Sequence, residues 1–122
     1  MDRASFIAVV RHALRDVPPP FREHLKQVDI VVKGRPTQHD LREAGLPPGE
    51  SMYGFYRGIP LTQRGAHDTL VLPDVIDIYQ EPLEEDFPEL SELEDEIRIT
   101  VLHELAHFFG IDDDRLEELG LE

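Results

Sequence analysis

Cysteine is absent from this 122-residue chain. That excludes a disulfide framework, a thiolate metal site and a cysteine nucleophile together, and leaves histidine and carboxylate as the plausible metal ligands. Positive charge is scarce: 12 Lys and Arg stand against 26 Asp and Glu, for a formal net charge of −14. A surface of that sign repels a phosphate backbone and forfeits counterion release, so nucleic acid is not expected as a partner. Long apolar runs are missing as well. The patch Phe6-Ile7-Ala8-Val9-Val10 is interrupted by Arg11 and His12 before it reaches signal-peptide or bilayer length. No membrane partner and a cytoplasmic location are therefore expected. The length suits one domain, residues 1–122, able to bury its own core but short for a catalytic protein.

Against these absences stands the stretch His103-Glu104-Leu105-Ala106-His107-Phe108-Phe109-Gly110-Ile111-Asp112-Asp113. Residues four apart on an α-helix stand one turn above each other, so His103 and His107 can aim two imidazole nitrogens at one ion. Glu104, beside the first histidine, is within reach of a water on that ion. Zinc takes imidazole and carboxylate ligands tetrahedrally, and a catalytic site uses three protein ligands with an open fourth position. Gly110 can end the helix in the left-handed conformation and turn the chain so that Asp113 swings back as the third ligand. Asp112 and Glu117 are alternatives to Asp113. An acidic helix N-cap is the competing role for Asp113, because Asp112, Asp113 and Asp114 stand where a final helix, about 114–119, begins.

The rest of the chain supplies a scaffold. Phe6, Val10, Ala13, Leu14 and Val17 recur at helical spacing over 4–17, and Pro18-Pro19-Pro20 stops that helix. A brief helix over 21–26 follows. The β-branched run Val28–Lys33 reads as a strand, residues 34–51 as a loop punctuated by Pro and Gly, 52–57 as an aromatic-rich strand, and 75–80 as a third strand. Acids from Glu81 to Glu96 read as a solvated loop and helix start. Ser91 with Glu94 resembles a capping box opening the motif helix. Along that helix Leu93, Ile97, Val101, Leu105 and Phe108 form one apolar row, and Leu102, Ala106 and Phe109 a second. His103 and His107 fall off the first row, toward a strip shared with Glu96 and Thr100. His12, His24, His39 and His67 fit no ligand spacing and read as surface or satisfied histidines.

Strands followed by a helix carrying His-Glu-x-x-His resemble the zincin metallopeptidases. The spacing His103, Glu104, His107, Gly110, Asp113 is similar to the metzincin signature, with Asp in the place usually held by a third His. Together with the segment Gly54-Phe55-Tyr56-Arg57-Gly58-Ile59-Pro60-Leu61-Thr62 and the Pro-rich end of the first helix, the outline looks like the minimal zincins, a family of small bacterial zinc metallopeptidases. The resemblance implies an α+β zincin-like fold: a small three-stranded mixed sheet packed on a backing helix and an active-site helix. It also implies that strand 52–57 is the edge strand over the cleft, so that Gly54, Phe55 and Tyr56 contact substrate. The Met-containing turn of metzincins has no counterpart after the motif, since Met1 and Met52 are the only methionines.

The expected activity is hydrolysis of peptide or small amide bonds with Zn²⁺ held by His103, His107 and Asp113 and with Glu104 as general base. A noncatalytic zinc- or peptide-binding module is the alternative. A metal-dependent RNA endonuclease is a more distant one, and the −14 charge opposes it.

Overall fold

The computed structural model describes residues 1–19, 21–58 and 74–110. Its centre is a strand rich in β-branched residues, β3 (Asp74–Tyr79), buried along nearly its whole length. Strand β1 (Val28–Lys33) runs parallel to it on one side and β2 (Gly54–Arg57) antiparallel on the other, giving the order β1-β3-β2. Ile76 and Ile78 project from one face of β3 into the core, with Ile30 and Val32 of β1 and Tyr56 of β2 packed beside them. That alternation is the period of two a half-buried strand requires.

Two long helices cover this face. Helix α1 (Arg3–Leu14) starts at Asp2, whose side chain accepts the Ser5 N–H, and buries Phe6, Val10 and Ala13, which lie on one helical face. Helix α5 (Leu90–Phe108) buries the row Leu93, Ile97, Val101, Leu105 and Phe108 together with Leu102 and Ala106. Phe6, Ile76, Ile78, Ile97, Val101 and Leu105 are each 0% exposed. Burial stabilises such side chains by roughly 1.5–3 kcal/mol each, which fixes α5 against the sheet and thereby the direction of its opposite face. Arg98 adds a tie, donating from Nε to the Ala13 carbonyl at 2.9 Å. This is the expected α+β arrangement, with α1 backing the motif helix and β2, among the described residues, at the edge of the sheet.

The other face of β3 carries Asp77 and Tyr79, and polar groups rather than hydrocarbons close over them. Arg57 donates to Asp77 at 2.5 Å and to Asp40 at 2.7 Å and also meets Glu43. Lys33 lies 3.0 Å from Asp77, and the Tyr79 hydroxyl donates to Asp40 at 3.0 Å. Asp40 belongs to helix α3 (Gln38–Glu43), which lies inside the span read from sequence as loop. The correction has a local cause: Thr37 accepts the Asp40 N–H while Asp40 accepts the Thr37 N–H, a complete capping box. Burial of Asp40 against Arg57 and Tyr79 then holds a helix of only six residues, too short to be stable alone.

Other boundaries differ: the second strand, read as 52–57, begins at Gly54. The third strand ends at Tyr79, and Gln80 opens helix α4 (Gln80–Asp86), so part of the acidic run is helical. The cap of α5 is Glu89, whose side chain accepts the N–H groups of Ser91 and Glu92, in place of the Ser91–Glu94 box. Helix α1 stops at Leu14, although Val17 beyond it remains fully buried. Helix α2 (Phe21–Leu25) forms where the sequence placed it, and Phe21 enters the core. The final helix read at 114–119 lies outside the described residues.

Candidate metal centre

Because the apolar row of α5 is committed to the sheet, the positions one step round the helix turn toward its rim. His103 is half-buried there and His107 exposed, with ring centroids 4.3 Å apart and planes at 71°. One potential ligand atom from each of His103, Glu104 and His107 lies within 4.8 Å of the others. Among the described residues no other group of three has metal-ligand chemistry in reach. Two converging imidazoles fit zinc as ligands, and the Glu104 carboxylate beside them stands within reach of a water on such an ion.

Gly110 takes φ 78° and breaks the helix one turn after His107, as the motif spacing requires. Asp113, with its alternatives Asp112 and Glu117, lies outside the described residues, as does His67.

Glu104 differs from the histidines in where it points. Its Oε1 accepts the backbone N–H of Tyr56 on β2 at 2.9 Å, and its Oε2 lies 3.7 Å from His107 Nδ1. Burial pushes its carboxyl above the ordinary glutamate range, against the opposing pull of the Tyr56 N–H and the two histidines. A carboxylate so placed is a stronger base than a solvated one, and it is held on the strand side of the imidazole pair.

The Tyr79 N–H donates to the Tyr53 carbonyl at 2.9 Å, which makes Tyr53 and, by alternation, Phe55 and Arg57 the residues whose main-chain groups face β3. Gly54 and Tyr56 therefore turn theirs away from the sheet, toward α5 and the cleft, and the Tyr56–Glu104 bond is the direct sign of it. Gly54 is needed for close approach: a Cβ there would stand 2.7 Å from Thr100 Cγ2 and 3.1 Å from the Asp77 carbonyl oxygen. Of the three residues expected to contact substrate, Phe55 differs in kind. Its main chain is spent on β3, and its ring lies 5.1 Å from the Arg57 guanidinium.

Spacing gave no hint of a second cluster beside the histidines. The Tyr56 hydroxyl donates to Asp74 at 2.6 Å and lies 3.1 Å from His24 Nε2, while Tyr56 and His24 stack on Phe108 with centroids 4.7 and 4.5 Å away. It locks the end of β2 onto the last turn of the motif helix. His24 is thus a satisfied histidine, and His12 and His39 sit in surface pairs with Glu94 and Glu43.

A comparison with curated proteins gives no match. The family model of the zincin-like metallopeptidases matches residues 25–121, from the end of α2 through the motif helix and beyond. With that match over most of its length and the paired histidines of α5 beneath an edge strand, the chain belongs to the zincin-like metallopeptidase family.

Proposed function

We propose that this protein is a zinc-dependent peptidase that hydrolyses peptide or small amide bonds, with Glu104 as general base. The observation that carries the reading is the convergence of His103, Glu104 and His107 within 4.8 Å at the outward edge of β2. The family supports hydrolase chemistry and zinc in general terms. His103 and His107 would hold the ion, with Asp113 as the proposed third ligand.

Zinc, when bound, makes a water acidic enough to lose its proton near neutral pH and polarises a carbonyl. Glu104 accepts that proton as the water oxygen bonds to the substrate carbon. It then delivers the proton to the departing nitrogen as the carbon–nitrogen bond breaks. The outward main-chain groups of Gly54 offer a substrate strand hydrogen bonds, a mode of recognition that tolerates many side chains. The Tyr56 N–H already serves Glu104.

Purified protein loaded with one equivalent of zinc should cleave members of a mixed peptide library. Glu104→Gln should retain the metal and lose the cleavage. Stoichiometric zinc without cleavage of any peptide would favour the noncatalytic binding module instead.

A further inference from the structure

On the N-terminal side of the histidines, a pocket of about 220 Å³ opens between α5 and the start of β2. Ile99, Thr100 and His103 line its helix side and Tyr53 and Gly54 its strand side. Glu104 stands at the end next to the candidate metal centre, and Glu96 is also part of the lining. Glu96 and His103 are seven residues apart, so they share one stripe of the helix with about 10 Å of rise between them. Glu96 is half-buried and makes no hydrogen bond or ion pair with any described residue. The neighbouring acid, Asp86, is already engaged by the Tyr53 hydroxyl.

We propose that this pocket selects substrates with a lysine or arginine side chain, and that Glu96 is the specificity-determining residue. The inference rests on the peptidase reading above. Its walls are apolar along their length, where Ile99 and the methyl of Thr100 suit an aliphatic stem, and acidic at Glu96, where a terminal cation meets a carboxylate. The length of the stripe excludes a smaller cation. A free α-ammonium group is only a few bonds from the carbonyl under attack and stays beside the histidines, whereas a four-carbon or guanidinium side chain spans the distance to Glu96. Direction follows as well. Gly54 packs against Thr100 and Tyr56 against Glu104, so β2 and α5 run the same way here. A peptide added antiparallel to β2 passes from Tyr56 toward Gly54 and places the pocket on the leaving-amine side of the cut bond.

The test uses binding first. Fluorescein-labelled alanine hexapeptides carrying lysine, norleucine or glutamate at one central position are titrated against the zinc-loaded Glu104→Gln protein. The expected result is roughly tenfold tighter binding of the lysine peptide than of its uncharged norleucine counterpart. Adding Glu96→Gln should abolish the difference, and adding Glu96→Lys should shift the preference to glutamate. Equal binding of lysine and norleucine overturns the proposal. So does a lysine preference that survives Glu96→Gln, because the overall negative charge would then be its source. A thermal melt of each variant confirms the fold. In the cleavage assay, cuts by the zinc-loaded protein should precede lysine or arginine. Cleavage without that bias overturns the pocket and leaves the peptidase reading intact, while the binding preference without cleavage does the reverse.

Discussion

Glu104 concentrates the chemistry of one residue position. Its neighbour His103 is likewise half-buried, yet the 100° step between consecutive helical residues sends the carboxylate to β2 and the imidazole to the rim. Glu104→Gln should keep zinc binding within a few-fold and lower kcat by about 10²–10⁴, read by metal analysis and steady-state kinetics side by side. His103→Ala should instead lose stoichiometric zinc. Asp40 is the corresponding residue for stability. Burial pushes its carboxyl up, but the Thr37 N–H, the Tyr79 hydroxyl, Lys33 and Arg57 together hold it below the ordinary value of 3.8. A carboxylate whose folded pKa is depressed contributes stability that is fully present above its unfolded pKa and fades as pH falls through the folded one. Urea denaturation at stepped pH should therefore show wild-type stability declining in the acid range, and Asp40→Asn should flatten that decline. At neutral pH the variant should be less stable by about 1–3 kcal/mol, since Arg57 loses a buried partner.

At the level of elements, the site depends on how closely α5 and β2 meet. Gly54→Ala puts a methyl group into space held by Thr100 Cγ2 at 2.7 Å and the Asp77 carbonyl at 3.1 Å. It should cost about 1–3 kcal/mol in urea denaturation. Thr100→Ser in the same chain should recover part of that, because it removes the nearer clash and leaves the backbone one. The elements also show where sequence reading succeeds. Helix α5 was legible because its burial period, near four, is written in Leu93–Phe108, and strand β1 because Val28–Lys33 is a β-branched run. Helices α3 and α4 were not, because Gln38–Glu43 and Gln80–Asp86 are short and polar, with no apolar stripe to count. Their stability comes from partners remote in sequence, Arg57 and Tyr79 for α3 and the start of α1 for α4, where Arg3 donates to Gln80 at 2.7 Å.

For the whole molecule, the proposed zinc site on a helix packed against a small sheet predicts strong linkage between zinc and stability. An ion that binds only the folded chain, supplied at a hundred times its Kd, adds about 2.7 kcal/mol. The melting temperature should rise on the order of 10 °C and fall back on chelation, measured by calorimetry. No helix among the described residues is long and apolar enough to cross a membrane. The net charge of −14 would favour cationic peptides over anionic ones in general, and the proposed pocket at Glu96 would add a preference for position.

By itself, the sequence determined the candidate chemistry: no thiolate, two histidines and a glutamate at helical spacing, a glycine able to end the helix, and apolar rows that commit α5 to a sheet. Such features are local, since a helical turn brings i and i+4 together whatever the rest of the chain does. Only the tertiary structure decided that the Tyr56 N–H holds Glu104, that Phe55 turns its main chain away from the cleft, and that Glu96 shares a pocket with Tyr53 and Gly54. Those contacts join residues 22 to 48 positions apart, and their existence depends on strand register and on the packing of α5 against β2, which no short-range pattern encodes.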